Sequence, residues 1–197
     1  MNECANKDIE IELRRVARVA DMMSTAHAGL RDRYARRALV LDLSILLISA
    51  WLLALAFIDP QINLSLTPPG IVPKVWGGLL ACGVFALSII QLRVDWKGVA
   101  SAHSYSFIGY SAIKREAAAL LSSKDDLDEK TCSSLFSRYN SAGLISIPER
   151  DFLGQKKRHL TKVEVSKHLD VNPGASVFLT KARIIMRDSF KGVEKKL

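Results

Sequence analysis

Catalytic signatures are missing from this chain. No glycine-rich phosphate loop of the required spacing occurs, and neither HExxH nor G-x-S-x-G is present. Cysteine is scarce and scattered: Cys4, Cys82 and Cys132 form neither a disulfide framework nor a metal cluster. Reduced thiols in a cytoplasmic setting follow. His159 and His168 lie in a basic segment without neighbouring cysteines or carboxylates, so they make a poor metal pair. Proline is absent before Pro60, and nothing upstream of it interrupts a helix. These absences argue against an enzyme and leave no cofactor to name.

Two long apolar runs are present instead, at residues 38–58 and 75–92. Crossing a bilayer core as a helix takes roughly 20 such residues. The first run carries one charge, Asp42, and the second carries none. The first starts too late for a secretory signal and is followed by Asp59-Pro60 rather than a small-residue cleavage site. An all-α membrane protein is expected: a two-span helical hairpin whose spans continue into cytoplasmic helical arms, followed by a small, mainly helical C-terminal region.

Flanking charge sets the orientation, because Lys and Arg are retained on the cytoplasmic side. Arg31, Arg33, Arg36 and Arg37 precede the first run, and Arg93 and Lys97 follow the second. The connecting loop, residues 59–74, offers only Lys74. Both termini should therefore be cytoplasmic. Tyr34 and Trp96 fall at the inner boundary, Phe57 and Trp76 at the outer one, as interfacial aromatics do.

The order along the chain is then a cytoplasmic amphipathic helix (1–37), a first span (38–58), a short proline-rich external loop (59–74), a second span (75–92), a cytoplasmic helix (93–122) and a basic C-terminal region (123–197). In the first arm, Ile9, Leu13, Val16, Ala20, Met23, His27, Leu30 and Tyr34 alternate steps of four and three, a heptad seam. Trp96, Val99, His103, Phe107, Tyr110, Lys114, Ala117 and Leu121 repeat it after the second span. A hairpin is antiparallel, so these seams can face each other. Ser122 to Asp126 supplies N-caps for a helix over 126–139, stopped by Asn140-Ser141-Ala142-Gly143. Pro148-Glu149 opens another, to about His159, and Asn172-Pro173-Gly174 is a turn. A final amphipathic helix is expected over 176–191. The segments 163–165 and 177–179 suit either helix or short strand.

Three groups of residues attract attention. Asp42 lies one turn inside the inner boundary, where a carboxylate is costly and normally faces protein or water. The hairpin places it level with Ser88, Gln91 and Arg93, which predicts a contact with Gln91 or Arg93: a clasp within one subunit or a polar seam between subunits. Gly77, Gly78, Ala81, Cys82 and Ala86 give the second span small residues four apart, which suit hairpin packing or oligomerisation. His27, His103 and Tyr110 lie on the cytoplasmic seams, and a His pair there is either a hydrogen-bonded interface or a proton-sensitive contact. Finally, residues 155–197 hold eleven Lys/Arg against four Asp/Glu. That excess suits anionic lipid or nucleic acid as well as a solvated face.

This layout, with Trp96, His103, Tyr110 and Glu116 on the helix after the second span, resembles the SLATT domains, two-span effectors found beside nucleotide-sensing modules in prokaryotic conflict systems. Tyr139, Pro148, Glu149, Lys156, Lys157, His159, Lys162, Ser166, Pro173 and Lys181 are similar to the C-terminal extension of one branch of that family. The resemblance implies an inner-membrane protein of a prokaryote acting in anti-phage, abortive-infection defence. A sensor partner, such as a nucleotide cyclase or a reverse transcriptase system, would trigger it to form homo-oligomers that breach the membrane. The competing expectation is a non-lethal membrane adaptor, holding a cytosolic partner or nucleic acid through the basic C-terminal region.

Overall fold

The computed structural model describes residues 2–122, 129–143 and 145–194, and all regular structure among them is helical. Helix α1 runs over Asn2–Phe57, α2 over Pro60–Leu66, α3 over Pro73–Arg93 and α4 over Trp96–Ser122. Helix α5 spans Glu129–Ser141, α6 Glu149–Val171 and α7 Val177–Glu194.

Proline placement explains the breaks. With none before Pro60, α1 extends unbroken for 56 residues. Pro60 and Pro73 each stand at the first position of a helix, where the missing N–H costs nothing. The loop expected over 59–74 thus contains a short helix, α2. It closes with Asn63 Nδ2 donating to Leu55 O at 3.3 Å. Between α3 and α4 the chain is extended at Val94, and Asp95 caps α4 by accepting from Gly98 N–H at 2.8 Å.

Two compact units result, Met1–Gly29 with His103–Leu197, and Leu30–Ala102. The unit boundaries fall at 29/30 and 102/103, so the second unit holds the apolar runs with the adjoining ends of both arms.

The first unit is a helical assembly around Leu13, Val16 and Ala20 of α1, Tyr110, Ile113 and Ala117 of α4, and Cys132 and Leu135 of α5. The first seam is buried at Leu13, Val16, Ala20, His27 and Leu30 and half-buried at Ile9, Met23 and Tyr34. The second is rotated by one residue over two turns: Ser106 and Ile113 are buried, whereas Phe107 is half-buried and Lys114 exposed. Serine at 106 lets the helices approach, and Lys114 reaches Asp21 of α1 at 2.8 Å from outside the seam. Helix α5 stops at Ser141, as the stop signal implied. Its expected start at Asp126, with the cap residues 123–126 and Leu127, lies outside the described residues. Helix α6 continues past His159 to Val171, and residues 163–165 and 177–179 are helical, not strand. The turn Asn172-Pro173-Gly174 is present, with Ala175 N–H donating to Asn172 O at 3.0 Å.

The second unit carries the two apolar runs. In the most apolar window of α1 only 17% of residues are buried, and in that of α3 none. A core helix of a soluble protein shows the opposite. Leu39, Leu46, Leu47, Leu53, Phe57, Leu79, Phe85, Ile89 and Leu92 all face outward. An apolar surface this continuous needs a covering, and both helices are long and apolar enough to cross a membrane.

Candidate functional site

In the second unit a polar clasp forms around Asp42. Gln91 Nε2 donates to Asp42 Oδ1 at 2.7 Å, and Lys97 Nζ stands 2.7 Å from Oδ2. The carboxylate is thus held by α3 and by the first turn of α4. The contact with Gln91 was expected; the cation is Lys97 rather than Arg93. Ser88 does not join, because its hydroxyl donates to Val84 O within α3 at 2.8 Å. The chain breaks at Val94 and restarts as α4 with Asp95 capping Gly98 N–H, which brings Lys97 back to Asp42.

The clasp is asymmetric in energy. The Lys97 side chain is 67% exposed, so the ion pair itself is worth less than about 1 kcal/mol. Asp42→Leu should therefore change thermal stability little. The double variant Gln91→Ala/Lys97→Ala strands a carboxylate at the apolar boundary and should cost about 2–3 kcal/mol. Thermal unfolding in lipid nanodiscs compares them; equal losses would refute the clasp.

Among the described residues, nothing packs against the glycines of α3. A methyl group added at Gly77, Gly78 or Gly83 would meet nothing within 4 Å. Gly78, Ala81, Cys82 and Ala86 are exposed. The intrachain hairpin-packing alternative is thereby set aside, and the ridge is open.

In the first unit two histidines and two tyrosines, His27, His103, Tyr110 and Tyr139, form a polar column. His27 Nδ1 and His103 Nδ1 lie 2.9 Å apart, a hydrogen bond that needs one ring protonated at Nδ1 and the other bare there. The Tyr110 ring stacks on His27 with centroids 5.6 Å apart, and Tyr139 meets Tyr110 edge-on at 6.3 Å. Burial, then the charge of His103, pushes the His27 pKa down to about 4, and burial lowers that of His103. Burial, then Tyr139, raises that of Tyr110. His27, His103 and Tyr110 are therefore uncharged at neutral pH. His27 Nε2 and Ser106 Oγ are buried without a hydrogen-bond partner among the described residues.

Other residues singled out from the sequence make separate contacts. Glu116 pairs with Arg138 of α5, and His159 Nδ1 lies 3.3 Å from Thr25 Oγ1. His168 is exposed near the end of α6. No cluster of three or more His, Cys, Asp or Glu able to hold a metal occurs among the described residues. Gly29 was not foreseen: α6 crosses α1 there, with Gln155 and Arg158 occupying the space of a side chain. No pattern in α1 marks it, because the partner is remote in sequence.

Helix α7 presents an apolar face outward. Thr180 and Ile184 are its buried positions, and Arg187 is paired with Glu164 of α6. Phe178, Leu179 and Met186 are exposed on the opposite side. Lys181 flanks this face on one edge and Arg183 on the other, by helical spacing. No family model matches the sequence, and no curated protein or solved structure is similar to it.

Proposed function

We propose that this protein is a two-span effector of a prokaryotic anti-phage system, which self-associates in the inner membrane and permeabilises it when a partner sensor fires. One observation carries the reading: the small-residue ridge of α3 lies on a span with no buried residue, and among the described residues nothing packs against its glycines. Close helix contact in lipid depends on such ridges, since apolar surface alone gives no preference for protein over lipid tails. The arginines before the first span and Arg93 and Lys97 after the second support cytoplasmic termini. The polar column of His103, Tyr110 and Tyr139 fits a receiving role for the cytoplasmic helices, being rich in groups whose pairing a partner can alter.

Two measurements test this. Cells expressing the protein with its genomic partner should take up an impermeant dye on infection; defence with sealed membranes would refute the proposal. Cys82 lies exposed on the ridge and Cys132 is buried. In a Cys4→Ser background, oxidative cross-linking after the trigger should give dimers through Cys82, and the further change Cys82→Ser should abolish them.

A second reading, a membrane adaptor, is favoured by the outward apolar face of α7 and its basic borders, which suit a protein partner or nucleic acid. Replacing both spans with an unrelated hairpin separates the two. An adaptor keeps its function after the swap, and an effector loses it.

A further inference from the structure

We infer that the outward face of α7 lies on an anionic lipid surface, with Phe178, Leu179 and Met186 seated among the acyl chains and the bordering lysines on the phosphates. With about 3.6 residues per turn, Phe178, Leu179, Ala182, Ile185 and Met186 share an arc of about 120° on this helix. Phe178 is 78% exposed, Leu179 67% and Met186 58%. The opposite side holds the two buried residues, Thr180 and Ile184, and Arg187, which pairs with Glu164 of α6. Helix α7 is thus docked by one side and turns its apolar arc away from its own unit. A helix that serves only its subunit core does the reverse.

Cations border the arc on both sides. A groove of about 430 Å³ between α6 and α7 is lined by Lys157 and Lys162 of α6 and by Lys181 of α7, all three exposed. Ile185 belongs both to this groove and to the edge of the apolar arc. Among the described residues no carboxylate lines the groove, and none pairs with these lysines. Glu164 and Asp188, which share an adjoining depression with Lys157, are both taken by Arg187. Arg158 also lines the groove, but its guanidinium lies against Gly29 of α1 and is not counted. On the other border Arg183 follows Leu179 by one turn. Long basic side chains so placed lay their stems along apolar surface and lift the charge to headgroup level.

An apolar arc with cations on its borders is the pattern of helices that lie in the headgroup region of a bilayer. A nucleic acid would use the cations and leave the arc idle, because single strands stack on successive aromatic rings and Phe178 is the one aromatic in the arc. The chain also brings a lipid surface with it. Helices α1 and α3 are long and apolar enough to cross a membrane, and α1 and α4 run unbroken from the second unit into the first. Such a tether holds lipid at a high effective concentration, whereas a soluble protein or an RNA has to be recruited. The inference rests on the membrane hairpin and not on permeabilisation, so the dye-uptake test does not decide it.

Spin-label accessibility in the full-length protein, reconstituted into liposomes, provides the test. In a Cys4→Ser/Cys82→Ser background, with the buried Cys132 kept, a nitroxide is placed through Met186→Cys on the arc, Ser166→Cys on exposed α6 or Leu79→Cys on the second apolar run. In vesicles of equal phosphatidylglycerol and phosphatidylcholine, the label at 186 should meet oxygen rather than a water-soluble nickel chelate, at a depth of about 5–10 Å. The label at 166 should stay aqueous. In phosphatidylcholine alone, the label at 186 should return to water. Each of Lys157→Gln, Lys162→Gln and Lys181→Gln should lower the ratio of docked to free helix about fivefold. The label at 79 reports the hairpin separately: lipid contact there with an aqueous label at 186 would overturn the inference and leave the spans standing. Docking that ignores lipid charge and the lysine changes would overturn it too. A label at 186 shielded from both reagents would assign the face to protein, and its withdrawal from lipid by added single-stranded RNA would assign it to nucleic acid.

Discussion

Acidification from about pH 7.5 to about pH 4.5 is expected to lower the melting temperature of the first unit by roughly 5–10 °C. The cause is the His27–His103 pair. His27 is fully buried and its pKa is held down to about 4, against 6.5 for a free imidazole; that of His103 is lowered as well. An unfolded chain takes up these protons below about pH 6.5, and the folded chain resists them. The contribution is therefore complete above pH 6.5 and is lost as the pH falls towards 4. For His27 it is on the order of 2–3 kcal/mol. Tyr110, which stacks on His27 and whose pKa burial raises, stays neutral throughout this range and does not offset it. Hydrogen exchange of α1 and α4 in detergent follows the effect, and His27→Gln should remove most of the pH dependence. A melting temperature that is flat over this interval would show that the pair is solvated.

Truncation of the core gives the other large effect. Leu13 and Leu135 are both 0% exposed and meet across α1 and α5 with Tyr110, Ile113 and Ala117 of α4. Leu135→Ala should destabilise the first unit by about 2–5 kcal/mol, through lost burial and the cavity left behind. Leu153 is 68% exposed, and Leu153→Ala should stay within about 0.5 kcal/mol. Chemical denaturation followed by helix signal distinguishes them. Similar losses for both would mean that the docking of α5 contributes nothing to stability. Such a loss should also silence the proposed effector, because the column of His27, Tyr110 and Tyr139 sits in the same core.

Much of this architecture could be read from periodicity. The apolar runs, the first heptad seam, the stop after α5 and the turn at Asn172 follow from strong local signals that neighbouring structure did not override. Element ends were less visible. Helix α6 continues beyond His159 because Thr161, Val163 and Val165 are tolerated in a helix that buries Val165. The second seam slipped because Phe107 and Lys114 mimic apolar spacing through size and stem length, whereas the small Ser106 occupies the buried site. The Asp42–Gln91 contact was legible because hairpin geometry fixes which levels meet. Lys97 was not, since its position depends on the break at Val94. Pairing between His27 and His103 was anticipated as a possibility of the seams, with Tyr110 on the same seam; the edge-on contact of Tyr139 with Tyr110 was not, because it depends on a third helix.

Gly29 carries a consequence for engineering this molecule. The crossing of α6 over α1 depends on a position without a side chain, and the groups that fill the gap are the flexible ends of Gln155 and Arg158. A bulky residue there would pry the C-terminal helical pair off its neighbour and leave the leucine-lined interior of α1, α4 and α5 intact. One codon thus offers a handle for uncoupling the basic appendage without deleting it.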